Sequence, residues 1–353
     1  MTSDQRSSAT AMQLEKRNAF HNDVLFIDGL WGTGKSLLGP IVSGMAGVEK
    51  VKVESLYEYI SWLFYLGKID RDGALWMLRT YADCSQYHNT IGREVNLRWS
   101  DDTGLKNAPD RLKYITRLFG GEGDGKVDEI NTRNLAYCAM SHMLMLTPEL
   151  LPLAYGNRVK VIEMVRHPLY MVNHFAAYLG RFESPREFTM AFYSGEVKVP
   201  WFARGWEAEF VGANQVERAV LSITRLSSWL FDKIEEFQVA GLSVLLLPFE
   251  EAVFATDRTL AQLQQFTGRR HHRRIASILK RQMLPRQSIA KGRGHASYGW
   301  SSSSKSDREN YATMIATVRD HCSADLQHEM NQAIHWYNQK FSSRLSEFQT
   351  AVN

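Results

Sequence analysis

Val24-Leu25-Phe26-Ile27-Asp28-Gly29-Leu30-Trp31-Gly32-Thr33-Gly34-Lys35-Ser36 is the stretch that decides the fold. An apolar run ends on Asp28-Gly29, a glycine-rich turn follows, and an apolar helical pattern runs from Lys35 to Met45, so it reads as strand, loop, helix. Residues 29–36 fit G-x-x-x-x-G-K-[ST] without a mismatch. In that pattern the glycines let the backbone curl its N–H groups around a phosphate. The helix N-terminus adds partial positive charge, and the lysine reaches the outer phosphate. Gly29, Gly32, Thr33, Gly34, Lys35 and Ser36 are therefore the expected phosphate contacts. The plain alternative is a glycine-rich turn that binds nothing.

Working outward, short strands are expected at Val51-Lys52-Val53, at Val95–Trp99, at Val159–Val165 and at Leu242–Leu247, with helical spacing between them, as in Ser55–Leu66. Strands alternating with helices imply an α/β fold: a three-layer P-loop architecture, its mainly parallel central sheet flanked by helices on both faces. In such a sheet ligands bind beyond the carboxyl ends of the strands. No linker divides the chain, so residues 21–350 read as one domain behind a polar, disordered lead at 1–20. The last forty-odd residues read as two amphipathic helices ending in Phe341 and Leu345.

The 353 residues carry a formal net charge of +4, far from the concentrated positive field of a nucleic-acid binder, so a small anionic ligand is the expected partner. Cys84, Cys138 and Cys322 lie far apart without C-x-x-C spacing, which supports neither a disulfide framework nor a zinc site. No signal-peptide stretch or membrane-span-length apolar run is present, so the cytoplasm is the expected location and no membrane partner is proposed. Histidine spacing suggests no metal site. Oligomeric state is not readable.

Arg166-His167-Pro168 follows the Val159–Val165 strand at its carboxyl end. Pro168 suits the first helical turn, and Arg166 would aim its fork of donors into the crevice that the phosphate loop faces. The bland reading is an arginine capping a carbonyl. A kinase of this fold usually holds magnesium through an aspartate at a strand end. No such strand end is legible here, although Ser36 could contribute to a magnesium site.

Val161-Ile162-Glu163-Met164-Val165-Arg166-His167-Pro168-Leu169-Tyr170-Met171-Val172 resembles the sulfotransferase-superfamily signature for the 3′-phosphate of phosphoadenosine phosphosulfate (PAPS). Leu245–Glu251 with the helix Arg258–Phe266 and Thr267-Gly268 is similar to that family's next strand and helix. Lys291-Gly292-Arg293-Gly294 with Gly299-Trp300 resembles its late loop over the donor, and Val199-Pro200-Trp201-Phe202 through Trp206 its acceptor-side insertion. The resemblance spans about residues 22–345. It implies that Lys291, Gly292 and Arg293 close over the donor. It further implies an unidentified small-molecule or glycan acceptor. Two positions depart from the pattern. Gly32 stands where the family places Arg or Lys, with Lys35 in place of Thr or Ser. His174, preceded by Asn173, stands where a serine usually completes the 3′-phosphate contact.

Sulfuryl transfer needs an aligned acceptor, stabilised charge and a base. Lys35 would neutralise the leaving oxygen. Glu54, after the second strand, falls close to where the resemblance places the catalytic glutamate of protein- and glycan-directed members and is expected to face the crevice; its bland reading is a helix-start carboxylate. His88, Asp101 and Asp102 are weaker alternatives. The run Arg269–Arg274 reads as a docking surface for an anionic acceptor, as a mobile lid that closes on phosphates, or as a solvated helix start. Trp201 and Trp206 read as acceptor contacts, whereas Trp62 and Trp76 fit a core. The leading expectation is a PAPS-dependent sulfotransferase-like enzyme. The alternatives are a kinase using ATP with magnesium and a non-catalytic nucleotide-sensing protein.

Overall fold

The computed structural model describes residues 13–352 except 100, 102, 109, 183, 185–188, 290 and 293–304. Its centre is a parallel sheet of β1 (Val24–Asp28), β2 (Lys52–Val53), β3 (Tyr137–Met140), β4 (Val159–Val165) and β7 (Ser243–Pro248), ordered β2-β3-β1-β4-β7. β5 (Ala191–Ser194) and β6 (Val197–Pro200) form a separate antiparallel hairpin. The helices are α1 (Lys35–Val42), α2 (Leu56–Tyr65), α3 (Arg71–Thr90), α4 (Arg111–Arg117), α5 (Asp124–Thr132), α6 (Leu150–Tyr155), α7 (Val172–Leu179) and α8 (Glu207–Gly212). They continue as α9 (Gln215–Val239), α10 (Phe249–Phe254), α11 (Thr256–Thr267), α12 (Ile275–Gln282), α13 (Asp307–His321), α14 (Ala324–Lys340) and α15 (Ser346–Val352).

Every β1 side chain is buried, as a strand covered on both faces demands. Phe26 meets Tyr57 of α2 edge-on, with ring centroids 4.9 Å apart. Side chains alternate along a strand, so Leu25 and Ile27 face the other way. Met140, paired with Ile27, lies on that opposite side, where α1 approaches through Gly39. Helices thus cover both faces, as the sequence pattern predicts.

The third strand is where the sequence reading fails. Residues 95–99 form no strand; β3 takes that place and fills the position between β1 and β2. Residues 13–20 also depart from a disordered lead. Leu14 N–H donates to Asp72, Asn18 to the Ala154 carbonyl, and Phe20 is buried against Ile130 and Leu135. Residues 1–12 lie outside the described ones. Phe341 and Leu345 are buried as expected, between α14 and α15. Among the described residues no helix is long and apolar enough to cross a membrane.

Candidate active site at the carboxyl edge of the sheet

The loop between β1 and α1 takes positive φ at Gly32 (83°) and Gly34 (96°). Gly34 is required twice over, because a Cβ there would stand 2.3 Å from Cδ2 of Phe249. Thr33 Oγ1 donates to the Leu30 carbonyl at 2.9 Å. Lys35 is buried, and its Nζ donates to the carbonyls of Gly29 and Leu30, the latter at 2.8 Å. Burial pushes this ammonium's pKa down, against the pull of Asp28, Glu163 and Glu58. Ser36 is exposed in the first turn of α1.

Arg166 joins the same crevice. Its Nη1 donates to the Gly32 carbonyl at 2.8 Å, and its guanidinium lies 4.3 Å from the ring centroid of Phe249. The proline after it opens a 3-10 turn, Pro168–Met171, which leads into α7. His174 on α7 stands over Gly32, close enough that a Cβ on Gly32 would lie 3.0 Å from its Cβ. Burial, then the cations Lys35 and Arg166, push the His174 pKa down to about 3. An anion held between those cations would relieve part of that shift. The apex of the loop is anchored too: Trp31 packs 4.4 Å from Tyr178, 5.2 Å from Phe175 and 5.7 Å from Phe202.

Glu54 does not face the crevice as expected. Its carboxylate pairs with Lys52 at 2.6 Å and accepts from Tyr81 Oη of α3, so the second strand and α3 hold it between them. Lys52 also pairs with Glu94, and Glu94 with His88 at 3.1 Å, which places His88 in the same surface network. Asp101 caps its own loop through Thr103, and Asp102 lies outside the described residues.

The groups facing the loop from this side are ones the sequence reading passed over. Glu58, one turn into α2, is buried and accepts from the backbone N–H of His142, just beyond the end of β3. His142 Nδ1 lies 3.7 Å from Glu58 Oε1, with about a third of its side chain exposed. The register sets Asp28 opposite Glu163 on the neighbouring strand. Asp28 accepts from Ser141 Oγ at 2.9 Å and from Met145 N–H at 2.8 Å. Glu163 has the Asp28 carboxylate as its side-chain neighbour. Burial, with the Asp28 carboxylate beside it, holds its pKa well above the usual carboxylate range, so it keeps its proton. Missing β3 hid His142; had the strand been found, a histidine just past its end would have stood out.

Other expectations sort by burial. Trp201 is fully enclosed and stacks on Trp62 at 4.7 Å, so it belongs to the core. Trp206 remains half-buried against Phe202 and Phe210. Trp76, expected in the core, is 41% exposed. Arg269 pairs with Asp23 before β1 and donates to the Asn134 carbonyl, so the basic run begins at the opposite, amino edge of the sheet. Lys291 and Gly292 follow a segment fastened to Asp307 by Ser288 and Ile289, and Arg293, Gly294, Gly299 and Trp300 lie outside the described residues.

The overall arrangement is similar to sulfotransferase domains. One, from the Synechococcus PCC 7002 olefin synthase, is 13% identical and matches 92% of this chain and 98% of its own at a TM-score of 0.44. Another, from the curacin biosynthetic pathway, has the same identity and coverage at 0.45. A Mycobacterium tuberculosis H37Rv sulfotransferase matches 73% of this chain and 71% of its own, at 11% identity and a TM-score of 0.36. No family model and no curated protein matches the sequence.

Proposed function

We propose that this protein is a sulfotransferase-like enzyme that moves a sulfuryl group from PAPS to a hydroxyl or amine of a small acceptor. The observation that carries the reading is the junction of the two basic elements. The loop bearing Lys35 and the strand end bearing Arg166 are tied by the Arg166–Gly32 bond, so two separated phosphates could be held by one rigid unit. The motif order along the chain supports the same assignment. In this reading the 29–36 loop and Lys35 hold the transferring end, Arg166 and His174 take the 3′-phosphate, and Lys291, Gly292 and Arg293 cover the donor.

Glu58 and His142 supply what Glu54 does not. Glu58 holds His142 at the crevice, from where the imidazole takes the acceptor's proton as its oxygen or nitrogen bonds to sulfur. Lys35 leaves the Gly29 and Leu30 carbonyls and neutralises the bridging oxygen that departs with the bisphosphate as the old S–O bond breaks.

The deciding experiment is calorimetric titration with 3′,5′-adenosine bisphosphate, and separately with ATP plus magnesium, on the native chain, Lys35→Ala and Arg166→Ala. The reading expects the bisphosphate to bind and both substitutions to weaken it at least about tenfold, or 1.4 kcal/mol. ATP binding that needs magnesium and Lys35 but ignores Arg166 would make it a kinase-like protein. Transfer of labelled sulfate that survives His142→Ala but not Glu54→Gln would return the base to Glu54. Bisphosphate binding with no transfer to any acceptor would favour the nucleotide-sensing alternative.

A further inference from the structure

A cavity of about 380 Å³ lies between α9 and α14 and reaches the phosphate loop from the side. Leu30, Thr33 and Arg166 form its inner wall, while Lys35, Glu58, His142, His174 and Phe249 are absent from its lining. It therefore shares a wall with the donor cradle without containing the reacting groups. Its volume is in the range of small-molecule sites, which are mostly apolar with a few placed polar groups. This one matches: Met164 and Val165 are buried at its floor, and Phe231 and Trp336, with centroids 4.2 Å apart, stand on its outer walls.

The charges define the ligand. Arg166 and Arg225 balance Asp232 and Glu329 around the lining, so the formal sum is zero. Both cations are engaged: Arg166 on Gly32 and Phe249, Arg225 on Glu209 and over Trp206. The carboxylates and the hydroxyls of Ser227 and Ser228 line the cavity as hydrogen-bond acceptors, and Glu329 accepts a 3.3 Å bond from Thr224. A neutral guest that donates a hydrogen bond suits this lining, and an anion does not.

We infer that this cavity is a second binding site, for a compact, uncharged, largely apolar alcohol or phenol, and that its occupancy alters donor affinity through Leu30, Thr33 and Arg166. A guest there touches the loop and Arg166 at once, so it restrains both parts that must grip the phosphates, and the coupling is reciprocal.

The test titrates the full chain with 2-naphthol and with 2-naphthoate, reading the heat of binding. Saturable one-to-one binding of 2-naphthol is expected, with 2-naphthoate at least about tenfold weaker. Ser228→Trp fills the cavity from α9 and Ala333→Trp from α14, and each should weaken 2-naphthol at least about tenfold. Ser228 is exposed, so its variant folds even if the Ala333 variant does not. With 2-naphthol saturating, 3′,5′-adenosine bisphosphate should still bind, its Kd changed by about threefold or more. Direct competition between the two ligands would overturn the inference, because the cavity would then belong to the donor site. So would 2-naphthol binding that Ser228→Trp leaves unchanged, or no saturable binding at all.

Discussion

The two edges of the central sheet treat buried charge in opposite ways. At the amino edge, Glu49 accepts from Asn89, Lys113, Tyr114 and twice from Arg117, at 2.7 to 3.2 Å. Arg117 and Lys113 hold its carboxyl down at about 2, against the opposing effect of burial. At the carboxyl edge, Glu163 has another carboxylate, Asp28, as its neighbour, and burial together with Asp28 pushes its pKa well above the usual carboxylate range. Lys35 there makes do with loop carbonyls. Saturated ion networks hold a fold together, whereas groups left strained toward their neutral forms mark a place built to receive something else. Arg269 belongs with the first kind, a fastening of the chain to Asp23 and Asn134.

The sharpest way to break this contrast is Glu49→Ala. Removing one partner strands Arg117 and Lys113, and urea unfolding should show a loss of about 3–5 kcal/mol while the folded fraction binds bisphosphate as before. A small loss, or a lost ligand, would erase the distinction between the edges. Next comes acid. Glu49 has a depressed folded pKa, so its contribution is complete above the unfolded value of about 4.5 and disappears as pH falls towards about 2, amounting to about 3 kcal/mol.

His167 acts higher on the scale. Enclosed by Tyr170, Tyr311, Tyr337 and Phe348, it is pushed down to about 3 by burial, then by Arg166. Its unfolded form gains a proton near pH 6.5 and the folded form does not, so stability drains between 6.5 and 3, by about 2 kcal/mol at pH 5. His167→Leu should lift the pH 5 stability relative to pH 7.5, measured as a difference in urea midpoints. Glu163→Gln is milder. A group that folds protonated weakens the fold as pH rises above its unfolded value, so the amide should hold or raise stability at pH 8, the reverse of Glu49→Gln. The smallest effect is expected for Glu54→Gln, with bisphosphate affinity within about twofold of native because the carboxylate serves Lys52 and Tyr81.

What the sequence disclosed follows from how local each signal is. The phosphate loop is contiguous, and its strand, turn and helix each have their own pattern, so Gly29 through Ser36 and α1 were legible. β4 is long and β-branched, and Arg166 at its end could be placed at the crevice. β3 is four residues, Tyr-Cys-Ala-Met, with no β-branched member; its strand character comes from pairing with β1 on one side and β2 on the other. His142 and Glu58 disappeared with it, since a histidine in a loop and a glutamate in a helix's first turn signal nothing until the fold brings them together. Glu54 was correctly placed after β2, but its direction depended on Tyr81, far along the chain. Trp76 turned out exposed for the same reason: helical spacing shows which residues share a face, not which face is covered.

Trp31 carries a consequence for how such a protein can change over time. Its ring lies inside the 29–36 loop yet rests on Phe175 and Tyr178 of α7 and on Phe202, just after β6. A graft that replaces the 189–206 segment to accept a new substrate would take away part of the bed on which the loop lies. If the proposed function holds, new specificity and donor grip are inherited together, and a successful exchange of that segment must bring its own aromatic seat for Trp31.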